Sequence, residues 1–556
     1  MTNTRELTIE IQGMTCDHCE RTVAKALRSV PGVETILEVS HASSRARVMA
    51  GPKATAERVE QAVEKAGYRA RVKNESKMSD VPVIISGGEG EFDLLVVGGG
   101  SAGFAAAIKA ADLGARVAIA EASTLGGTCV NVGCVPSKTL IRAAEAQHRR
   151  AHHGFRGIPS SDGHPDWPTV RVEKDALVDQ MRQAKYWDVL RAYPSITLFE
   201  ERATLAAGGK VQLGNGLRLT AGKIVVATGA SPWAAPIPGL AEAKHLDNTS
   251  AMALDRIPAS LIVVGASAVG LEMAQMFARL GVRVTVLEAL PRVVPAEDED
   301  IGKALADYLR EEGLQIHAGV QIDGVTRKEG GYGVSFRAAG ASRKVHAEQL
   351  LVATGRRANT IGYGLDVSGV TLGKQGEIVV NEYLQTSNPD VYAAGDVLGD
   401  PMFVYGAAYG GSLAAENALT GNGRRYDLTA LPKVTFTDPA VASVGLTEDQ
   451  ARARGGAEPL VSKLLLEHVP RSVAARDTRG FVKLVADPAT RKIIGAHILA
   501  AEAGEMITEP VLAIKFGLTI EDLALMFHPY LTLSEGIKLA ALTFDRDVAK
   551  LSCCAA

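Results

Sequence analysis

Cysteine is scarce in this chain: six in 556 residues, placed as three pairs, Cys16/Cys19, Cys129/Cys134 and Cys553/Cys554. A secreted disulfide scaffold uses far more, so the pairs read as three thiol sites kept in a reducing, cytoplasmic setting. Net charge is nearly absent. Lys+Arg number 60 against 63 Asp+Glu, a balance of −3 with no basic block, which excludes nucleic acid as a main partner. No uninterrupted apolar run reaches the ~18–20 residues that a membrane span needs. The opening MTNTRELTIE also lacks the apolar core of a signal peptide. Aromatics are few, at 5%, whereas glycine is abundant at 57 residues, about 10% against the usual ~7%.

At roughly 150 residues per domain, three to four folding units are expected. Residues 1–73 read as one small unit in the order βαββαβ. Leu7–Ile11, Val33–Val39, Ser44–Met49 and Tyr68–Val72 have strand character, and Cys19–Val30 and Thr55–Ala66 have helical periodicity. Residues 74–91 are polar, glycine-bearing and aperiodic apart from a short apolar stretch, and read as a tether. From Phe92 a strand–glycine turn–helix grammar begins and later repeats. Phe92–Val97 runs into Gly98-Gly99-Gly100-Ser101-Ala102-Gly103, and Leu261–Val264 into Gly265-Ala266-Ser267-Ala268-Val269-Gly270. Each copy then reaches an acid, Glu121 or Glu288, 18 residues past the last turn glycine, and each later reaches Val-Ala-Thr-Gly, at Val226–Gly229 and Val352–Gly355. After about residue 425 a third, α+β pattern takes over.

Glycines in such a turn let the backbone approach a pyrophosphate, which sits at the positive end of the following helix. Gly98, Gly100, Gly103, Thr228 and Gly229 therefore mark one dinucleotide site, and Gly265, Gly270 and Gly355 a second. Two dinucleotides in one chain suggest a flavin and a nicotinamide, and hence electron transfer. Glu121 and Glu288 stand where a carboxylate bonds a ribose hydroxyl. Glu288 would repel a 2′-phosphate, which favours NADH over NADPH, although Arg292 is close enough in sequence to reach a phosphate.

The first copy carries an insertion, which contains Gly126-Gly127-Thr128-Cys129-Val130-Asn131-Val132-Gly133-Cys134-Val135-Pro136-Ser137-Lys138. Positions i and i+5 do not face each other on an ideal helix, so two thiols this far apart meet only across a distorted first turn, which Gly133 and Pro136 permit. A helix N-terminus and Lys138 nearby would lower a thiolate pKa. Over residues 92–550 this stretch resembles the active site of the flavoprotein disulfide reductases, the family of glutathione reductase and dihydrolipoamide dehydrogenase. The resemblance implies an α/β chain with two Rossmann-like dinucleotide-binding domains and an α+β dimerisation domain, forming a homodimer. It implies FAD at 92–245 and 359–425, NADPH or NADH at 246–358, and an interface domain at 426–556. It also makes Cys129 the interchange thiol and Cys134 the charge-transfer thiol beside the flavin, with Gly127, Thr128, Lys138, Ala203 and Val404 near FAD, Lys138 paired with Glu272, and Asp396 of Tyr392-Ala393-Ala394-Gly395-Asp396 on the ribityl chain.

One departure redirects the function. The family carries His-Pro-Thr-x-x-Glu near its end, whereas this chain reads Tyr530-Leu531-Thr532-Leu533-Ser534-Glu535, with His528 two residues earlier. A phenol with a pKa near ~10 is a poor proton shuttle, so a disulfide substrate would lose its general acid. Tyr530, Tyr186 and the Cys553-Cys554 tail are similar to the mercury-reducing members of the family, which implies a metal site lined by both tyrosines and fed by the tail. Hg(II) is soft and prefers thiolates, and its reduction needs two electrons and no proton for a leaving thiol. Gly13-Met14-Thr15-Cys16-Asp17-His18-Cys19 resembles the heavy-metal-associated domain of copper chaperones and mercury transporters, a ferredoxin-like fold whose two thiolates bind soft metals. The expected partners are therefore Hg(II) and small thiols, with transient hand-over from a membrane mercury transporter. Two rivals remain: a dihydrolipoamide dehydrogenase-like reductase with a fused metal domain, and a copper-handling chaperone whose flavin unit keeps its thiols reduced.

Overall fold

A computed structural model describes residues 5–14, 17–41, 44–51, 53–77, 90–161 and 163–551. Cys16, Cys553 and Cys554 lie outside the described residues. The chain divides into two compact units.

In the N-terminal unit, strands Arg5–Gln12, Val33–Ser40, Arg45–Ala50 and Arg69–Lys77 alternate with helices Asp17–Arg28 and Ala56–Lys65 in the expected βαββαβ order. The four strands lie antiparallel in the order Val33–Ser40, Arg45–Ala50, Arg5–Gln12, Arg69–Lys77. Strand alternation turns Leu7, Ile9 and Ile11 to one face, where they are fully buried against Val23 and Leu27 of one helix and Val59 and Val63 of the other. Those helix pairs are four apart and share a face. The last strand runs past residue 73 to Lys77, because Asn74 and Glu75 keep their partners on the first strand. Polar composition alone suggests a tether there; ladder pairing overrides it.

The second unit contains two parallel sheets. In the first, strand Gly90–Val97 lies between Val117–Ala120 and Arg218–Val226, with Val391–Ala393 beyond and a hairpin of Ala203–Leu205 and Lys210–Leu213 at the side. In the second, Ser260–Val264 lies between Arg283–Leu287 and Gln349–Val352, with Gln315–His317 outside. Each glycine turn follows the C-terminal end of its central strand and opens a helix, Ser101–Asp112 or Ala268–Arg279. That is where open α/β sheets bind nucleotides.

The last part of the unit is an antiparallel sheet in the order Lys433–Thr435, Ala440–Gly445, Ile493–Ala500, Phe481–Ala486, Leu460–Leu465, covered by helices that include Thr508–Phe516 and Glu535–Leu542. Strands Ala440–Gly445 and Leu460–Leu465 escape a sequence reading: the first is short and buried from Ala440 to Val444, without alternation. A buried charge cluster joins this sheet to the helix Glu299–Glu311. Lys483 Nζ contacts Asp298 at 2.8 Å, Asp300 at 2.9 Å and Glu448 at 2.6 Å.

Candidate active site

The two turns share one geometry. Gly98 has φ +108° and Gly265 φ +103°, and a Cβ added to either would lie 2.4 Å from Ala227 O or 2.3 Å from Ala353 O. A Cβ on Gly103 would lie 1.8 Å from Gly98 O, and one on Gly270 would lie 2.0 Å from Gly265 O. Only glycine lets strand and helix meet this closely. Glu121 and Glu288 are both held by backbone N–H groups near the turns, Glu121 Oε2 by Gly99 at 2.6 Å and Glu288 Oε2 by Ala266 at 2.6 Å. The threonines after the later strands are fixed as well. Thr228 Oγ1 donates to Asn359 O at 2.7 Å, and Thr354 Oγ1 donates to Trp233 O at 2.8 Å. Gly229 and Gly355 follow with positive φ. Each cradle has the open backbone that a dinucleotide requires, so FAD and a nicotinamide cofactor fit.

The cysteine loop lies directly on the first cradle: a Cβ on Gly127 would be 2.7 Å from Gly100 Cα. Cys129 sits in the short helix Gly127–Asn131, and Cys134 is the first residue of the helix Cys134–Ala151. Between them Gly133, with φ −121° and ψ −111°, breaks the helix, supplying the distortion that the i, i+5 spacing demands. Both are half-buried free thiols. Cys129 donates its S–H to Cys134, and this bond lowers Cys134 to about 7, against the opposing effect of burial and with help from Lys138. Cys129 is pushed up by Cys134 and by burial. The pair is therefore asymmetric, with the negative charge on Cys134 and the proton on Cys129.

Lys138 Nζ lies 2.7 Å from Glu272 Oε2 and 4.6 Å from the Phe436 ring centroid, while Glu272 Oε1 accepts the Phe436 N–H at 2.9 Å. Three parts of the chain thus fix one cation beside the thiolate. Tyr186 approaches from another side on a π-helical segment, Gln183–Trp187, a geometry frequent at functional sites. Its ring packs 4.7 Å from Phe104, and a Cβ on Gly126 would lie 3.2 Å from it. Burial raises its pKa against a bond to Ser101, and the charges of Cys129 and Cys134 raise it further. Asp396 follows Gly395 and is raised by burial, with the half-buried Arg356 opposing. Ala203 is buried at a strand start, and Val404 opens the helix Val404–Thr420.

Tyr530 is 54% exposed, in a segment where Phe516, Leu525 and Phe527 are also exposed. His528, two residues away, has a ring only 4% exposed and lies 2.9 and 3.0 Å from the two Glu509 carboxylate oxygens. That contact raises its pKa. Cys19 lies in the first helix of the N-terminal unit and is partly buried.

Ser101, Arg356, Asn359 and Phe436 were not legible as site residues. Phe436 reaches Glu272 across 164 positions, a separation over which no local pattern speaks. The π-helical turn likewise leaves no periodic signal.

This chain belongs to the pyridine nucleotide-disulphide oxidoreductase family, which residues 92–411 match, and its cofactors are FAD and NAD(P)H. Residues 431–541 match the family's dimerisation domain, and residues 8–69 match the heavy-metal-associated domain. Among its relatives the chain is similar to the mercuric reductase of Staphylococcus aureus, 43% identical over 547 residues and 98% of both chains. The mercuric reductase of Streptomyces lividans is 46% identical over 469 residues, covering 84% of this chain and 98% of its own. That of Acidithiobacillus ferrooxidans is 41% identical over the whole of both. Among solved structures, the HOCl-induced flavoprotein disulfide reductase RclA of Escherichia coli superposes with a TM-score of 0.72 and 29% identity, over 81% of this chain and 99% of that one.

Proposed function

We propose that this protein is an FAD-dependent mercuric reductase that converts Hg(II) to Hg(0) with electrons from NAD(P)H. When bound, the flavin supplies the two-electron link between the nicotinamide and the cysteine pair. Hg(II) enters as substrate and is held between the Sγ atoms of Cys134, already a thiolate, and Cys129, whose proton is lost as the metal binds. Lys138, anchored by Glu272, keeps the charge on Cys134. Burial keeps the Tyr186 phenol protonated, and Tyr186 and Tyr530 wall the metal site with weak oxygen donors, so Hg(II) is not held too firmly to be released after reduction. Hg(0), uncharged, has little affinity for thiolates and leaves.

The observation that carries this reading is the exchange of acid at the C-terminus. Tyr530 stands where disulfide reductases place histidine, and His528 is occupied by Glu509. A disulfide substrate would need a proton for its departing thiol; a metal ion does not. Cys16 and Cys19 would collect the metal and Cys553 and Cys554 would pass it inward from small thiols, with a membrane transporter as the source. We assign the protein to the cytoplasm as a homodimer, its exposed Leu525 and Phe527 covered by the second subunit and its tail serving the partner's site. Among the described residues no helix is long and apolar enough to cross a membrane.

The test is Hg(II)-dependent NAD(P)H oxidation in excess thiol with volatile Hg(0) collected. Turnover that releases Hg(0) is expected, and Cys553→Ala/Cys554→Ala should lose most of it on thiol-bound Hg(II) while flavin reduction continues. No Hg-dependent turnover alongside rapid lipoamide reduction would sink the reading in favour of the disulfide reductase.

A further inference from the structure

The duplicated turns provide an internal standard for the second cofactor. In the first copy Glu121 Oε2 accepts from Gly99 N at 2.6 Å and Oε1 from Ser123 N at 2.8 Å. In the second, Glu288 Oε2 accepts from Ala266 N at 2.6 Å and Oε1 from Leu290 N at 2.8 Å. The partners correspond one for one: Gly99 and Ala266 are the second residues of their turns, and Ser123 and Leu290 stand two past the acid. The dinucleotide of the first copy, FAD, carries an adenosine whose ribose 2′-hydroxyl is free. The second copy repeats the acid's backbone contacts to a tenth of an ångström, with the Glu288 residue only 7% exposed.

We propose that Glu288 makes the second site selective for NADH, by accepting a ribose hydroxyl and repelling the 2′-phosphate of NADPH. The inference rests on reading the second turn as the nicotinamide site. A phosphate monoester carries about −1.5 to −2 charges at neutral pH, and here it would meet a fixed carboxylate in a partly desolvated pocket. Nearby cations do not offset this. Arg292 Nη2 is turned to the carbonyls of Pro295, at 3.3 Å, and Glu297, at 3.4 Å, and its Cδ is 3.2 Å from where a Gly302 Cβ would stand. Of the acids that follow, Asp298 and Asp300 are paired with Lys483, and Lys303 beyond them is an exposed helix residue. Leu290, where a phosphate-binding site would place a donor side chain, is a half-exposed aliphatic.

The experiment is parallel calorimetric titration of the oxidised holoenzyme with NAD+ and NADP+, which reads binding rather than turnover. NAD+ is expected to bind at least ~10-fold more tightly, about the discrimination one unpaired charge in a site supplies. Glu288→Gln keeps the side chain's size and removes its charge, so the ratio of the two dissociation constants should fall severalfold, mainly through tighter NADP+. Arg292→Ala should leave the ratio unchanged. NADP+ binding as tightly as NAD+ to the unaltered protein overturns the proposal, whatever becomes of the variants. A selective loss of NADP+ affinity in Arg292→Ala also overturns it, since Arg292 would then be a phosphate ligand. Binding of neither dinucleotide overturns the reading of the second turn itself, an outcome distinguishable because no isotherm appears at all.

Discussion

At the scale of single residues, chemistry is set by which of two neighbouring sulfurs carries the charge. The pair Cys129/Cys134 was legible from its glycine-flanked spacing, but its polarity was not. That depends on the S–H···S bond and on Lys138, whose position needs Glu272 and, through it, the backbone of Phe436. Cys134 titrates at about 7, below the ordinary thiol value of ~8.5. Its thiolate is therefore present above neutrality and is lost as pH falls through about 7. Thiolate absorbance of the reduced enzyme followed against pH should show this midpoint. In Lys138→Met the midpoint should move up by about one unit, the size expected when one adjacent opposite charge is removed. An unmoved midpoint would remove Lys138 from the control of Cys134.

At the scale of elements, sequence speaks clearly where backbone geometry excludes every residue but one. Both glycine turns and both acids are readable for that reason, and the two copies agree in structure as they do in spacing. What was not readable came from non-local pairing. Strand Ala440–Gly445, buried at all but its last residue, shows no period of two, and Asn74 and Glu75 extend a strand that their polarity disguises. Gly103→Ala would place a methyl 1.8 Å from Gly98 O, and Gly270→Ala one 2.0 Å from Gly265 O. Each forces its helix off the strand, at a cost of about 1–3 kcal/mol for overpacking. The consequences should separate. Gly103→Ala should purify depleted in flavin. Gly270→Ala should retain its flavin, seen by absorbance, yet lose nicotinamide affinity by at least ~10-fold, about 1.4 kcal/mol. Equal losses of both cofactors in either variant would mean that the two cradles are not independent.

At the scale of the whole molecule, two units with separate cores share one chain. The N-terminal unit closes its own core around Leu7, Ile9, Val23 and Val59, so its composition and helical periodicity sufficed to mark it off. The mercuric reductase of Streptomyces lividans matches only 84% of this chain while spanning 98% of its own length, so that relative lacks some of the sequence present here. Residues 90–556 alone should turn over thiol-bound Hg(II) in excess thiol at a rate within about twofold of the full chain. The separate piece 1–77 should fold and bind one Hg(II) through Cys16 and Cys19, as followed by circular dichroism and mass spectrometry. A tenfold loss of turnover without the first unit would make that unit part of the catalytic route rather than a collector feeding it.

The clasp between His528 and Glu509 bears on economy in the cell. With both carboxylate oxygens within 3.0 Å of the imidazole and its pKa raised, the ring is favoured in its charged form and engaged. Oxidised small thiols are abundant wherever thiols are used to carry metal, and a reductase able to protonate their departing sulfur would spend reducing equivalents on them continuously. On the proposal that the phenol of Tyr530 takes the place of the family's acid, with His528 Nε2 held by Glu509, the enzyme should turn over disulfides slowly and keep its reductant for the metal.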